Sequence, residues 1–219
     1  MRAVLIPVKE LSQAKLRLAD DLTPQERQEL ALAMLTDVLD ACVASGCFDI
    51  VAAISNDSEV LWHVRERGAR AMAEPATVRG LNQSLTFGLR YLARRLAVDE
   101  LLILPADVPL VRPEDLRAVA EALGTDGIAR VAIVRSQDGG TNALALRPPD
   151  AIPMRFGPGS ADAHLAEASA AGIEAVELAV ERLAFDVDVA TDVDALASLT
   201  LGAATARWRD AWAAEKRAG

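Results

Sequence analysis

"TPQERQELALAMLTDVLDACVASGCFDIVAAIS" (residues 23–55) holds two signals whose order decides the fold. Thr23 precedes Pro24, a cap followed by proline at the first helical position, and Leu30, Met34, Val38 and Ala41 then recur on one helical face. After Gly46 the period changes, and "DIVAAIS" (49–55) is a short apolar run of strand length. "AVLIPV" (3–8) is a second such run upstream. Strand, long helix, strand is the unit in which parallel strands are joined by a crossover helix. The alternation continues, with strands expected at 69–74, 100–107, 129–136, 142–148 and 185–189. Helices are expected at 81–97, at 112–124 between Pro113 and Gly124, and at 159–172 with Ser160 as cap and Gly172 as stop. An amphipathic helix closes the chain in "ARWRDAWAAEKRAG" (206–219). The expected class is α/β, a mostly parallel sheet flanked by helices in one domain spanning 1–219.

With 219 residues, 52% hydrophobic, the chain can bury the core of one such domain. Its formal net charge of -9 argues against coating nucleic acid, so any nucleotide it binds is small and held locally. Cys42 and Cys47 are too few for a disulfide framework and lack metal-ligand companions, which reads as core thiols of a reducing, cytoplasmic compartment. The apolar part of "MRAVLIPVKE" is too short for a signal peptide or membrane span, so no membrane partner is expected. "LASLTLGAATARWRDAWAA" (196–214) leaves the chain a monomer or homodimer: Trp208 and Trp212 bury against a neighbour or, the preferred reading, against the chain's own sheet.

In open α/β sheets ligands collect beyond the carboxyl ends of the strands. Past the first strand, "PVKELSQAKLRLAD" (7–20) carries Lys9, Lys15 and Arg17, three cations suited to a triphosphate, in a loop without a P-loop or dinucleotide fingerprint. In "LPADVPLV" (104–111) Asp107 emerges where a carboxylate can hold a divalent cation, or form an Asx turn before Pro109. "FDVDVATDVD" (185–194) sends Asp186 and Asp188 to one face of the expected strand and Phe185, Val187 and Val189 to the other. With no Lys or Arg beside them in sequence, the two carboxylates call for a metal ion. Asp192 and Asp194 read as helix-capping residues. "RSQDGGTNALAL" (135–146) offers Thr141 to a carboxylate or phosphate, or is a plain hairpin turn. In "MRFGPGSADAHL" (154–165) Gly157, Gly159 and Ser160 precede a helix whose free N–H groups form an anion site. His164 there reads as structural or polar-face, and His63 as a surface helix residue. Gly80 and Asn82 in "EPATVRGLNQSL" (74–85) either read a purine edge or simply open a helix.

Taken in order and spacing, "IPVKELSQAKLRL", "RGLNQSL", "LPADVPLV", "DGGTNALAL", "RFGPGSADAHL" and "FDVDVATDVD" resemble the 2-phospho-L-lactate guanylyltransferase family, including its phosphoenolpyruvate-using bacterial members. The resemblance covers nearly the whole chain. It implies a Rossmann-like, GT-A-like nucleotidyltransferase fold and transfer of GMP from GTP to a phosphorylated three-carbon acid, with release of pyrophosphate, on the way to the deazaflavin coenzyme F(420). It also implies that Asp107, Asp186 and Asp188 bind Mg²⁺, and that Thr141, Gly157 and Ser160 clasp the acid. Lys9, Lys15 and Arg17 would serve the GTP phosphates, with Lys15 also assisting the departing pyrophosphate. Two alternatives stay open on the residues alone. One is another nucleotidyltransferase of this architecture, such as a molybdenum-cofactor guanylyl- or cytidylyltransferase, although those open with a glycine-rich loop absent here. The other is a non-catalytic nucleotide-binding subunit.

Overall fold

Alternating side chains of the central strands build two cores, one on each face of a seven-stranded sheet. The computed structural model describes residues 1–218. Its strands are β1 (Arg2–Pro7), β2 (Ile50–Ser55), β3 (Arg70–Ala73), β4 (Glu100–Ile103), β5 (Arg130–Arg135), β6 (Thr141–Arg147) and β7 (Glu174–Glu177), in the spatial order β3-β2-β1-β4-β6-β5-β7. Only β6 runs against the rest: it pairs antiparallel with both β4 and β5, while the other pairings are parallel. The helices are α1 (Pro24–Ser45), α2 (Ser58–Glu66), α3 (Leu81–Leu96), α4 (Pro113–Glu121), α5 (Ser160–Ala170), α6 (Glu181–Ala184), α7 (Ala190–Ala195) and α8 (Ala203–Ala218). Among the described residues, no helix is long and apolar enough to cross a membrane.

Val4 and Ile6 of β1 face α1, α2 and α4, where Val38, Val64 and Val119 meet them. Ala3 and Leu5 face the opposite way, toward Leu85, Leu89 and Leu92 of α3 and Ala161 of α5. α1 begins as expected: the Thr23 hydroxyl accepts from Glu26 N, and the Glu26 carboxylate accepts from Thr23 N in return.

Two expected elements are corrected. Residues 185–189 are extended but join no ladder. The alternation there serves a third, smaller core, in which Val187 is fully buried with Leu18, Leu22, Leu30, Met34, Val193 and Trp208, whereas Val189 is exposed. The seventh strand is β7, "EAVE", an edge strand too polar to show as an apolar run; Glu174 and Glu177 pair across it with Arg130 and Arg135. The caps at α5 also differ. Gly159, at φ 66°, takes the N-cap position and Ser160 is the first helical residue.

Trp208 and Trp212 stack at 5.6 Å and cover α1, not the sheet. His63 is half-buried, with Nε2 2.8 Å from Thr36 Oγ1, because α2 packs closely enough on α1 to shelter it. Cys42 is buried, Cys47 is partly so, and both are free thiols.

α8 is anchored from α1. The Asp37 carboxylate, 7% exposed, accepts from Ala204 N and Thr205 N, both at 2.8 Å. Gly202 is required beside it, since a Cβ there would lie 2.1 Å from Asp37 Cγ. Asp37→Ala strands two buried donors and should cost about 2 kcal/mol in a urea melt, the range for a charged cap.

Candidate active site

β1 and β4 are parallel neighbours, so the loops that follow them leave the same edge of the sheet. After β1 the chain winds through two short 3-10 helices, Leu11–Gln13 and Leu16–Leu18, with Lys15 between them at φ 49°, ψ 42°. That left-handed backbone costs about 1 kcal/mol for a residue with a Cβ. It aims the ammonium at the end of β4: Lys15 Nζ lies 2.5 Å from Asp107 Oδ2 and 3.1 Å from Asp188 Oδ1. Burial works to lower the Lys15 pKa, but the two carboxylates outweigh it and the net shift is upward. The group is a fixed cation.

Asp107 sits in a turn four residues beyond β4. Its carbonyl accepts from Val187 N at 3.2 Å, and the side chain of Val187 is sunk in the third core. This anchor leaves Asp186 and Asp188 turned toward Asp107. One carboxylate oxygen from each of the three lies within 4.8 Å of the others. Although no Lys or Arg stands beside the pair in sequence, Lys15 contacts Asp188 and Arg17 Nη1 lies 3.2 Å from Asp188 Oδ2. Both are distant in sequence and arrive only through the fold. Asp192 caps the start of α7, accepting from Asp188 N and Val189 N.

Asp186 differs from its companions. Its carboxyl is pushed up to about 6, chiefly by burial; Asn142, which donates to Oδ1 at 3.1 Å, pulls it down, Asp107 and Asp188 push it up, and Lys15 lowers it. A carboxyl raised in the folded state contributes stability that is present at low pH and lost as pH rises through about 6. With a chelator present, Asp186→Asn should therefore gain on the wild type between pH 4.5 and 7.5. The gain is about 1 kcal/mol, discounted because the group is partly exposed, and denaturant midpoints across that range would check it.

The trio opens onto a cleft of about 780 Å³ whose lining also includes Lys9, Arg17, Gly80, Thr141, Gly157 and Ser160. Lys9 is exposed at its rim. Six carboxylates, those of Glu10, Glu74, Asp107, Asp138, Asp186 and Asp188, face three cationic side chains there, so the cleft has an excess of negative charge.

Opposite the trio, Ser160 Oγ lies 3.0 Å from Thr141 Oγ1, which is 3.1 Å from His164 Nδ1. The free N–H groups expected at the start of α5 are partly committed: Ser160 N bonds to Gly157 O and Ala161 N to Gly139 O. The Thr141 hydroxyl, which accepts the Ser160 hydrogen, keeps its own hydrogen for an anion. Gly157 has φ 143°, a backbone reserved for glycine.

Asn82 is placed differently from the expectation that it reads a base. Its Nδ2 donates to Phe156 O at 2.9 Å and its Oδ1 accepts from Phe156 N at 2.8 Å. Both amide atoms are used in clamping the 154–157 loop to α3. Three cleft features escaped the sequence reading: Asn142 beside Asp186, Glu74 with its bond from Ser84, and the complete burial of His164. Each depends on a partner that the fold brings up from another element, and a lone polar residue carries no mark of such a partner.

Comparison with known proteins places the chain in a family. The family described as "Guanylyl transferase CofC like" matches residues 1–207. A phosphoenolpyruvate guanylyltransferase of Sphaerobacter thermophilus is 45% identical over 193 residues, 88% of this chain and 91% of that protein. A 2-phospho-L-lactate guanylyltransferase of Methanothermobacter thermautotrophicus is 35% identical over 189 residues, 86% of this chain and 81% of that one. Among solved structures, a nucleotidyl transferase of Methanothermobacter superposes with TM-score 0.64 at 18% identity, over 90% of this chain and 95% of that one. A cytidylyltransferase of Leptospira borgpetersenii does so with TM-score 0.61 at 13% identity, over 99% and 95%. These two likenesses show the nucleotidyltransferase, GT-A-like fold.

Proposed function

The chain belongs to the CofC-like guanylyl transferase family and is a guanylyltransferase, and from that premise we propose that it transfers GMP from GTP to the phosphate of phosphoenolpyruvate or 2-phospho-L-lactate. The resulting diphosphate ester would feed synthesis of the deazaflavin coenzyme F(420). The observation that carries this reading is the pairing, in one cleft, of three converging carboxylates with the hydrogen-bonded hydroxyls of Thr141 and Ser160.

Asp107, Asp186 and Asp188 would hold Mg²⁺, which favours such hard anionic oxygens. When bound, the ion supplies the positive charge and Lewis acidity that a triphosphate needs in a cleft with surplus carboxylates. Lys15, kept protonated by Asp107 and Asp188, donates to phosphate oxygens and stays an ammonium throughout. Arg17 and Lys9 add charge nearer solvent. Thr141, Ser160 and the Gly157 backbone hold the acid. Its phosphate oxygen forms a bond to the α-phosphorus of GTP, the bond to the bridging oxygen breaks, and pyrophosphate leaves with that electron pair. No general base is needed, because a phosphate monoester is largely ionised near neutral pH. Positioning and charge compensation supply the rate.

Pyrophosphate release in GTP, Mg²⁺ and each acid in turn tests the proposal. Release that requires one of the two acids supports it; folded protein that releases none with either overturns it.

A further inference from the structure

Building on the guanylyl-transfer reading, we propose that His164 is a positioning residue for the acid: its ring, together with the Ser160 hydroxyl, fills the acceptor side of Thr141 so that the Thr141 hydroxyl donates into the cleft. His164 is fully buried one turn into α5. Its Nε2 lies 3.0 Å from Arg155 N, a backbone donor, so Nε2 is the bare, accepting nitrogen. The neutral ring then carries its hydrogen on Nδ1, which donates to Thr141 Oγ1 at 3.1 Å. Burial pushes the imidazole down to about 4, against a smaller upward pull from Glu167 and a downward one from Arg155, in keeping with a neutral ring.

The consequence follows from counting lone pairs. A hydroxyl has two lone pairs and one hydrogen. On Thr141, the His164 N–H and the Ser160 O–H fill the acceptor side, leaving the Thr141 hydrogen for a cleft ligand. A Thr141 hydroxyl left able only to donate selects a group that accepts, which is the chemistry of ionised carboxylate and phosphate. The ring is held in turn: Phe156 meets it edge-on at 4.9 Å and 68°, and Asn82 clamps the Phe156 backbone from both sides. His164 touches none of the reacting groups and acts through Thr141.

Two substitutions separate this role from a merely structural one. In His164→Asn the side-chain amide can occupy the Nδ1 position and keep the donor to Thr141. In His164→Gln it reaches the Nε2 position and keeps only the acceptor for Arg155 N. At saturating GTP and Mg²⁺, His164→Asn should hold the KM for the acid within about threefold of wild type. His164→Gln should raise it roughly tenfold or more, the worth of one misaligned hydrogen bond, with the KM for GTP unchanged in both. The reverse order, equal effects of the two variants, or a matching rise in the KM for GTP would overturn the proposal. These outcomes are distinct from failure of the guanylyl-transfer reading, which would appear as wild-type protein releasing no pyrophosphate with either acid.

Discussion

Asp188→Asn should slow pyrophosphate release by about two to three orders of magnitude, the scale seen when one preorganised charge-stabilising group is removed, while melting within a few degrees of the wild type. The two halves of this result have separate causes. The carboxylate belongs to the trio that converges within 4.8 Å, and an amide in its place cannot supply the anionic ligand that the proposed Mg²⁺ site needs. Stability is nearly indifferent to the change. The partner Arg17 is 70% exposed and Asp188 itself 39%, a pairing worth at most about 1 kcal/mol. Lys15 keeps its shorter bond to Asp107, and Asp186 loses a like-charged neighbour. Steady-state release and a thermal melt on the same sample check both halves. A variant that is folded and fully active would remove Asp188 from the chemistry.

Lys15→Met should fail on both counts, losing about 100-fold in turnover and about 2–3 kcal/mol in stability at neutral pH. Its side chain is only 9% exposed, and removing it leaves three carboxylates without their central cation. Breaking a buried pair costs about 3–5 kcal/mol, reduced here because Asp107 and Asp188 keep some contact with water. The pH dependence distinguishes this cause from a simple packing defect. In the wild type the raised Lys15 pKa means that its contribution is fully present below the ordinary lysine range and is lost only in strong alkali. In the variant Asp186, already near 6, loses the lowering effect of Lys15 and binds its proton more readily when folded. The deficit should therefore shrink between pH 8 and pH 5 in chelator, as read from urea midpoints. A deficit constant across that range would assign the loss to packing alone.

What the sequence made legible was whatever depends on neighbours in the chain. The helix at α1, its cap and its buried face were readable because Thr23, Pro24, Glu26 and the apolar repeat lie within a few turns. The three aspartates were readable as a group because strand ends gather at one edge of such a sheet, so Asp107 and the 186–188 pair could be brought together without knowing the register. The element around the pair was misread because alternating burial looks the same whether the buried side enters a sheet core or, as for Val187, a small cluster beneath α8. β7 was missed because its charged side chains are matched by arginines on the adjacent strand. Lys15 as partner of Asp107, 92 positions away, Asn82 as a backbone clamp and the orientation of the His164 ring all depend on side chains meeting across the fold.

The single reversed strand has a wider effect. Because β6 runs opposite to β4, it is the beginning of β6, at Thr141, that comes level with the chain just past the end of β4. On the proposed reading, the acid is recognised within one uninterrupted piece, the β5–β6 hairpin with α5, whereas the triphosphate is met mainly by the loop after β1. Choice of acceptor and choice of donor are thereby inherited on different stretches of one polypeptide, and either can drift among descendants while the other holds still.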